Sequence, residues 1–226
     1  MRNTKISKQV RKAVVGNYRN LWWRLYSGLK VLLVPYEQIS SHVPKNTDVL
    51  DVGCGYGILS FFLGFESPRR RILGIDINCA RVTSIEKIVT AVPDNVSFRA
   101  GDLTVVGNEH FGCVVMEEVL HHIPKEQQQA VLDRLGDLLS DDGVFILREN
   151  NKRPSFRYYF VNIPAEYLLY PMEEKANFRT NMELEKMLSL AGFEVEVLPV
   201  PWYSLVDISI FICRKKSVRS EVAVDT

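Results

Sequence analysis

The chain has 226 residues, of which 46% are hydrophobic and 24% charged, the composition of one ordinary globular domain with a full-sized core rather than of a disordered or fibrous chain. Its formal net charge of +1 argues against a nucleic-acid binder that works by bulk positive charge. The four cysteines, Cys54, Cys79, Cys113 and Cys213, stand far apart with no C-x-x-C pair and no histidine at metal-ligand spacing, so neither a metal site nor a disulfide framework is expected and the thiols read as reduced in a cytoplasmic protein.

The first 44 residues predict a basic helical cap. Lysine and arginine recur from Arg2 to Lys30, whereas the first acid is Glu37. Such a segment reads as a solvated helical face. With Trp22, Trp23 and Tyr26 interleaved, it also reads as a contact for a membrane surface or an acidic partner. Its most apolar part, Leu21 to Val34, is interrupted by Arg24 and Lys30 and stopped by Pro35, short of the ~18 apolar residues of a membrane span. The basic start lacks the apolar core and cleavage site of a secretory signal.

Further along, short runs rich in Val, Ile and Phe predict strands at Val49–Val52, Ile72–Ile75, Val96–Phe98, Cys113–Met116, Val144–Leu147, Val195–Leu198 and Ile208–Cys213. Helical patterns fill Ile58–Phe65, Ala80–Ala91 and Glu126–Leu139, the last with a stripe of Val131, Leu135, Leu138 and Leu139 and a turn at Asp141-Asp142-Gly143 after it. Strand and helix in alternation predict a parallel sheet covered on both faces, with ligands beyond the carboxyl ends of its strands.

The stretch "VLDVGCGYGILS", Val49 to Ser60, puts glycine at positions 53, 55 and 57, behind the first strand and at the start of the first core helix. Glycine inside an element costs roughly 0.5–1 kcal/mol relative to alanine, so three of them point to a turn where backbone comes close to a ligand. A dinucleotide fingerprint would need its third glycine at position 58, which is Ile58.

With "VLDVGCGYG", "LGIDIN", "AGDLT" and "MEEVLHHIP" in this order on successive strand ends, the chain resembles the class I S-adenosylmethionine-dependent methyltransferases, closely over residues 45 to 150. The resemblance implies an α/β fold with a Rossmann-like seven-stranded mostly parallel sheet, helices on both faces, an N-terminal helical segment and a lid insertion after strand five. It divides one domain, 1–226, into a cap (1–44), a cofactor-binding core (45–150), a lid (151–180) and a C-terminal helix and strand pair (181–226). It implies S-adenosyl-L-methionine as cofactor. Asp51, Gly53, Cys54, Gly55, Tyr56 and Gly57 would then stand beside its methionine part, with Asp76 and Ile77 at the ribose. Asp102 and Leu103 would stand at the adenine, and Glu117 near the amino group. Taken alone, Asp76 or Asp102 also reads as a helix N-cap.

A sulfonium methyl is already a good electrophile, so the protein has mainly to align a nucleophile and exclude water, and no metal is needed. His121 and His122 are the candidate bases for an acceptor's proton. Adjacent residues in a regular element do not face one cleft, so one of them is expected to act, His121 at the methyl, with His122 serving the next helix.

The acceptor's wall is expected from Trp22, Tyr26, Tyr158 and Tyr159, in the cap and in the lid "RENNKRPSFRYYFVNIPAEYLLYPMEEKANF", whose basic residues include Arg148. An aromatic, basic lid suits a hydrophobic or aromatic small-molecule or lipid acceptor, or one on an acyl carrier protein whose acidic surface suits the basic cap. Peripheral membrane contact through the cap would place the protein at the inner face of a membrane. A nucleic-acid or protein methyltransferase is the rival enzyme, although "MEEV" stands where an N/D-P-P-Y/F motif would be. The rival of another class is a non-catalytic accessory protein that only holds the cofactor.

Overall fold

The computed structural model describes residues 2–150, 177–198 and 208–216. Tyr158, Tyr159 and residues 151–176 of the expected lid lie outside them. Seven strands, β1 (Asp48–Val52), β2 (Arg71–Asp76), β3 (Val96–Ala100), β4 (Phe111–Glu117), β5 (Leu139–Asn150), β6 (Phe193–Leu198) and β7 (Ile208–Lys215), form one sheet in the order β3-β2-β1-β4-β5-β7-β6. The first five run parallel, and β7 is antiparallel to both β5 and β6. Strands β1 and β4 are buried along nearly their whole length, as parallel strands under helices on both faces must be.

Those helices are α1 (Arg2–Asn17), α2 (Leu21–Leu33), α3 (Tyr36–His42), α4 (Ile58–Glu66), α5 (Cys79–Ile88), α6 (Gln128–Leu138) and α7 (Asn181–Leu190). On one face Val10 and Val14 of α1, with Tyr18, pack into a core with Phe61 and Phe62 of α4. On the other, Leu132, Leu135 and Leu138 of α6 join Leu184 and Leu188 of α7 over Phe145 and Phe211. The cap is fastened to the core at its α1–α2 corner. Arg19 N–H donates to Ile88 O at 2.8 Å and the Asn17 amide to Ala91 O at 2.9 Å. Asn20 then caps α2 by accepting from Trp23 N–H, and Pro35 both ends α2 and opens α3.

Two expectations change. The turn at Asp141-Asp142-Gly143 falls inside β5, where Phe111 pairs with Leu139 and Cys113 with Val144. Residues 140–143 therefore stand opposite Gly112 alone, and the turn residues are absorbed as an irregularity in the ladder. In α6 the buried positions are Gln128, Leu132, Leu135 and Leu138, with Val131 only partly covered. All four cysteines are free. Among the described residues no helix is long and apolar enough to cross a membrane.

Candidate active site

The chain runs from β1 outward to β2 and β3, then returns to β4 on the other side of β1. The carboxyl end of β1 is thus the point where strand order reverses, the place where open α/β sheets take their ligands. The ladders bring Val52 level with Ile75 and Met116, Asp76 level with Ala100, and Glu117 level with Arg148. Four segments that are distant in sequence therefore end at one rim.

The glycine turn is tied to its neighbour by backbone. Gly53 and Cys54 N–H both donate to Ile75 O, at 2.8 and 2.9 Å. Gly53 has φ +74°, and a Cβ there would stand 2.2 Å from Val119 Cγ2, so glycine lets the segment after β4 pack under the turn. Gly55 has φ +55°, but a Cβ there would meet nothing within 4 Å. At that position the left-handed backbone and an open face above it are what glycine provides.

The carboxylates hold this turn from below and beside. Asp51 is buried and accepts from Ser60 Oγ of α4 at 2.5 Å. Burial pushes its carboxyl up to about 7 against the Ser60 bond, with Glu117 and Asp76 adding to the rise. Asp76, also buried, accepts from Gly55 N–H through Oδ2 and from Asn78 N–H through Oδ1, both at 2.8 Å. Its neighbour Ile77 is left 81% exposed. Asp102 accepts from Thr104 N–H and Oγ1, bonds that hold its carboxyl below the usual range, and caps a 3₁₀ turn at Leu103–Val106. Cys54 is buried, which raises its thiol, Asp51 and Asp76 adding to the rise. The Tyr56 carbonyl accepts from Tyr18 Oη at 2.9 Å.

At the ends of β4 and β5 a cluster of charge is buried. Arg148 Nη1 donates to Glu117 Oε1 at 3.1 Å and makes an ion-pair contact of the same length with Glu118 Oε1. Burial pulls the guanidinium down, but Glu118 and then Glu117 outweigh it and keep the group charged. Arg148 Nε and Glu118 Oε1 are buried without a hydrogen bond. Glu118 sits at φ +56°, a left-handed backbone of the kind that costs of order 1–3 kcal/mol and concentrates at functional sites.

Beside this cluster, His121 is 1% exposed, with Nδ1 on Glu149 Oε1 and its own backbone N–H 3.3 Å from Glu149 Oε2. Asn150 N–H donates to the same carboxylate at 2.8 Å. The His121 ring packs on Phe178 at 4.8 Å and on His122 at 4.1 Å between centroids. The two histidines belong to one 3₁₀ turn, Leu120–His122, with their rings in contact, His121 buried and His122 half-buried. Gln128 anchors the turn, donating to the carbonyls of Leu120, Ile123 and Asn177.

Of the expected wall, Tyr26 packs edge-on to Tyr56, 6.0 Å away. Trp22 is 71% exposed. The tryptophan that meets the glycine turn is its neighbour Trp23, 4.5 Å from Tyr56. Arg148 is corrected as well, from a lid residue to a buried one at the end of β5. Glu149 carried no signal of its own in the sequence, since only the register of β4 with β5 brings it to the 3₁₀ turn.

This rim leaves room for a ligand beside a fixed carboxylate. It offers a glycine turn open above Gly55, a carboxylate fixed at the side of that turn, and the uncovered side chain of Ile77 next to the carboxylate. A family model for a methyltransferase domain matches residues 31–198, well over half of the chain. The chain belongs to the class I S-adenosylmethionine-dependent methyltransferases. It is 32% identical over 157 residues to a ubiquinone biosynthesis O-methyltransferase of Psychrobacter arcticus, covering 64% of this chain and 58% of that one. It is 28% identical over 159 residues to a carboxy-S-adenosyl-L-methionine synthase of a Shewanella species, covering 65% and 60%. The structure of human N-acetylserotonin methyltransferase in complex with S-adenosylmethionine has the same fold, with a TM-score of 0.65 at 16% identity over 86% of this chain and 55% of that one. The chain thus spans about three fifths of the length of these curated relatives. The glycine turn, Asp76 and Ile77 are the groups at this rim that would hold such a cofactor.

Proposed function

We propose that this chain methylates an oxygen of a hydrophobic or aromatic small-molecule or lipid acceptor, with His121 as general base and Glu149 as the residue that positions it. The observation that carries this reading is the buried His121–Glu149 pair. A carboxylate on Nδ1 orients the ring, as in other oriented histidine bases, which supports His121 in this role. When bound, S-adenosylmethionine supplies a methyl on a positively charged sulfur. The chain's own residues hold the acceptor in line, exclude water and take the hydroxyl proton. Trp23, Tyr26 and Tyr56 give the rim an aromatic wall that suits an apolar acceptor, and the O-methyltransferase relative supports oxygen as the nucleophile.

The test is transfer of labelled methyl to a panel of phenols and catechols with and without long alkyl tails. His121→Ala is expected to lower single-turnover transfer by roughly 10²-fold or more while cofactor affinity stays within a few-fold. Glu149→Gln, which keeps shape and loses charge, is expected to lower the rate less and to alter its pH profile. Transfer that ignores both substitutions overturns the base assignment. Cofactor binding with no transfer to any acceptor of the panel overturns the acceptor class.

A further inference from the structure

We propose that the outer face of α2 is a docking surface for an anionic lipid bilayer. Among the described residues ten large hydrophobic side chains are exposed, and six belong to this one helix: Leu21, Trp22, Leu25, Leu29, Leu32 and Leu33. At 3.6 residues per turn these six positions fall within an arc of about 120° running the length of the helix, which is roughly 20 Å. The opposite face is already in use, with Ser27 and Val31 buried and Trp23 and Tyr26 packed at the glycine turn. A helix that is apolar all round belongs in an interior, yet half of this one faces water. Scattered exposed leucines need no explanation; a continuous stripe of them does.

Charge selects the occupant. No acid occurs before Glu37, and the carboxylate of Glu37 is engaged by Arg11 and Ser7. The surface of α1 and α2 therefore carries exposed cations, Lys8, Lys12, Arg19 and Arg24, with no exposed carboxylate of its own. A second copy of the chain laid on this face by a two-fold axis would bring cations against cations, which isologous contacts avoid. A folded protein partner reads position through directional polar contacts, and the stripe offers none apart from the Trp22 indole N–H. A bilayer needs no such contacts. Its acyl boundary takes the leucines, tryptophan suits the polar–apolar boundary, and acidic headgroups meet the lysines and arginines. The helix would lie flat in the interface. It has too few residues to span, consistent with the absence of a spanning helix among the described residues.

This inference goes beyond the proposed reaction and does not depend on it, so its test reads binding and not turnover. The full chain is floated with phosphatidylcholine vesicles containing about one third phosphatidylglycerol, and with phosphatidylcholine vesicles alone. The variant is Leu25→Glu with Leu29→Glu, two exposed positions outside the site. Its melting temperature and its affinity for S-adenosylhomocysteine serve as controls for folding. Expected are binding of the wild type to the anionic vesicles, a drop of several-fold on neutral ones or at high salt, and a drop of ~10-fold or more for the variant with both controls unchanged. Equal binding by variant and wild type would place any membrane contact elsewhere and overturn the proposal. So would absence of vesicle binding. A lipid-free dimer of the wild type that the variant dissolves would show that the stripe is a subunit interface instead.

Discussion

The glycine turn and the ends of β4 and β5 lie side by side at one rim of the sheet, yet they are held by different means. In the turn, backbone N–H groups do most of the bonding: Gly53 and Cys54 on Ile75 O, Gly55 and Asn78 on the Asp76 carboxylate, with Ser60 on Asp51. At the other end, side chains satisfy side chains across about 30 residues, with Arg148 on Glu117 and Glu118 and Glu149 on His121. The first arrangement fixes a backbone path and needs β1 paired with β2. The second exists only once β4 and β5 are paired in register, and it leaves Arg148 Nε and Glu118 Oε1 without hydrogen bonds. The rim thus combines a turn held by backbone bonds with a cluster of side-chain ion pairs.

Removing one charge should expose that contrast most strongly. Arg148→Met leaves the half-buried Glu117 and Glu118 without the Arg148 cation and should cost about 3 kcal/mol of stability in urea denaturation. Adding Glu117→Gln and Glu118→Gln to it should recover most of the loss. A single substitution without effect would mean that the cluster is not a coupled unit.

In the turn the cost should come from sterics. Gly53→Ala places a methyl against Val119 at a positive φ and should cost about 2–3 kcal/mol, whereas Gly55→Ala, with open space at its Cβ, should cost about 1 kcal/mol. Thermal melts of the two variants compare them directly. Equal losses would remove the packing role assigned to Val119.

How much of this was legible beforehand follows the same division. The seven strands and the glycine turn could be read because apolar runs and glycine spacing are local signals; strand–helix alternation pointed to a parallel sheet but not to its order, and Asp76 came from the family resemblance. Glu149 could not be read, because nothing next to it in "LRENN" marks a partner 28 residues upstream. Trp22 and Trp23 cannot be ranked from sequence, because adjacent residues on a helix are told apart only by what the helix packs against. The Asp141-Asp142-Gly143 signal was chemically sound, but the strand continued through it as an irregularity.

Two smaller effects sharpen the picture. Burial raises the Asp51 carboxyl from its ordinary value of 3.8 to about 7, so the folded state keeps a proton that the unfolded chain releases. Its contribution is fully present below pH ~4 and is lost as pH rises towards 7, by up to about 1.4 kcal/mol per pH unit. Asp51→Asn should flatten that slope in denaturation measured from pH 4 to 8; an unchanged slope would assign it to other groups. Asp102→Ala removes only the cap of a short 3₁₀ turn on the surface and should cost about 0.5 kcal/mol by the same measurement. A loss above 2 kcal/mol would show a buried role for that carboxylate.

The central claim is that the glycine turn and Asp76 bind the cofactor while His121 and Glu149 serve the chemistry. Calorimetric titration of the full chain with S-adenosylhomocysteine tests it most directly. The account predicts one site per chain, weakened by Asp76→Ala about 10- to 100-fold through loss of charge-assisted bonds and changed only a few-fold by His121→Ala. An Asp76→Ala chain that melts normally and binds as tightly as the wild type, or a wild type that gives no binding heat at any temperature, would contradict it.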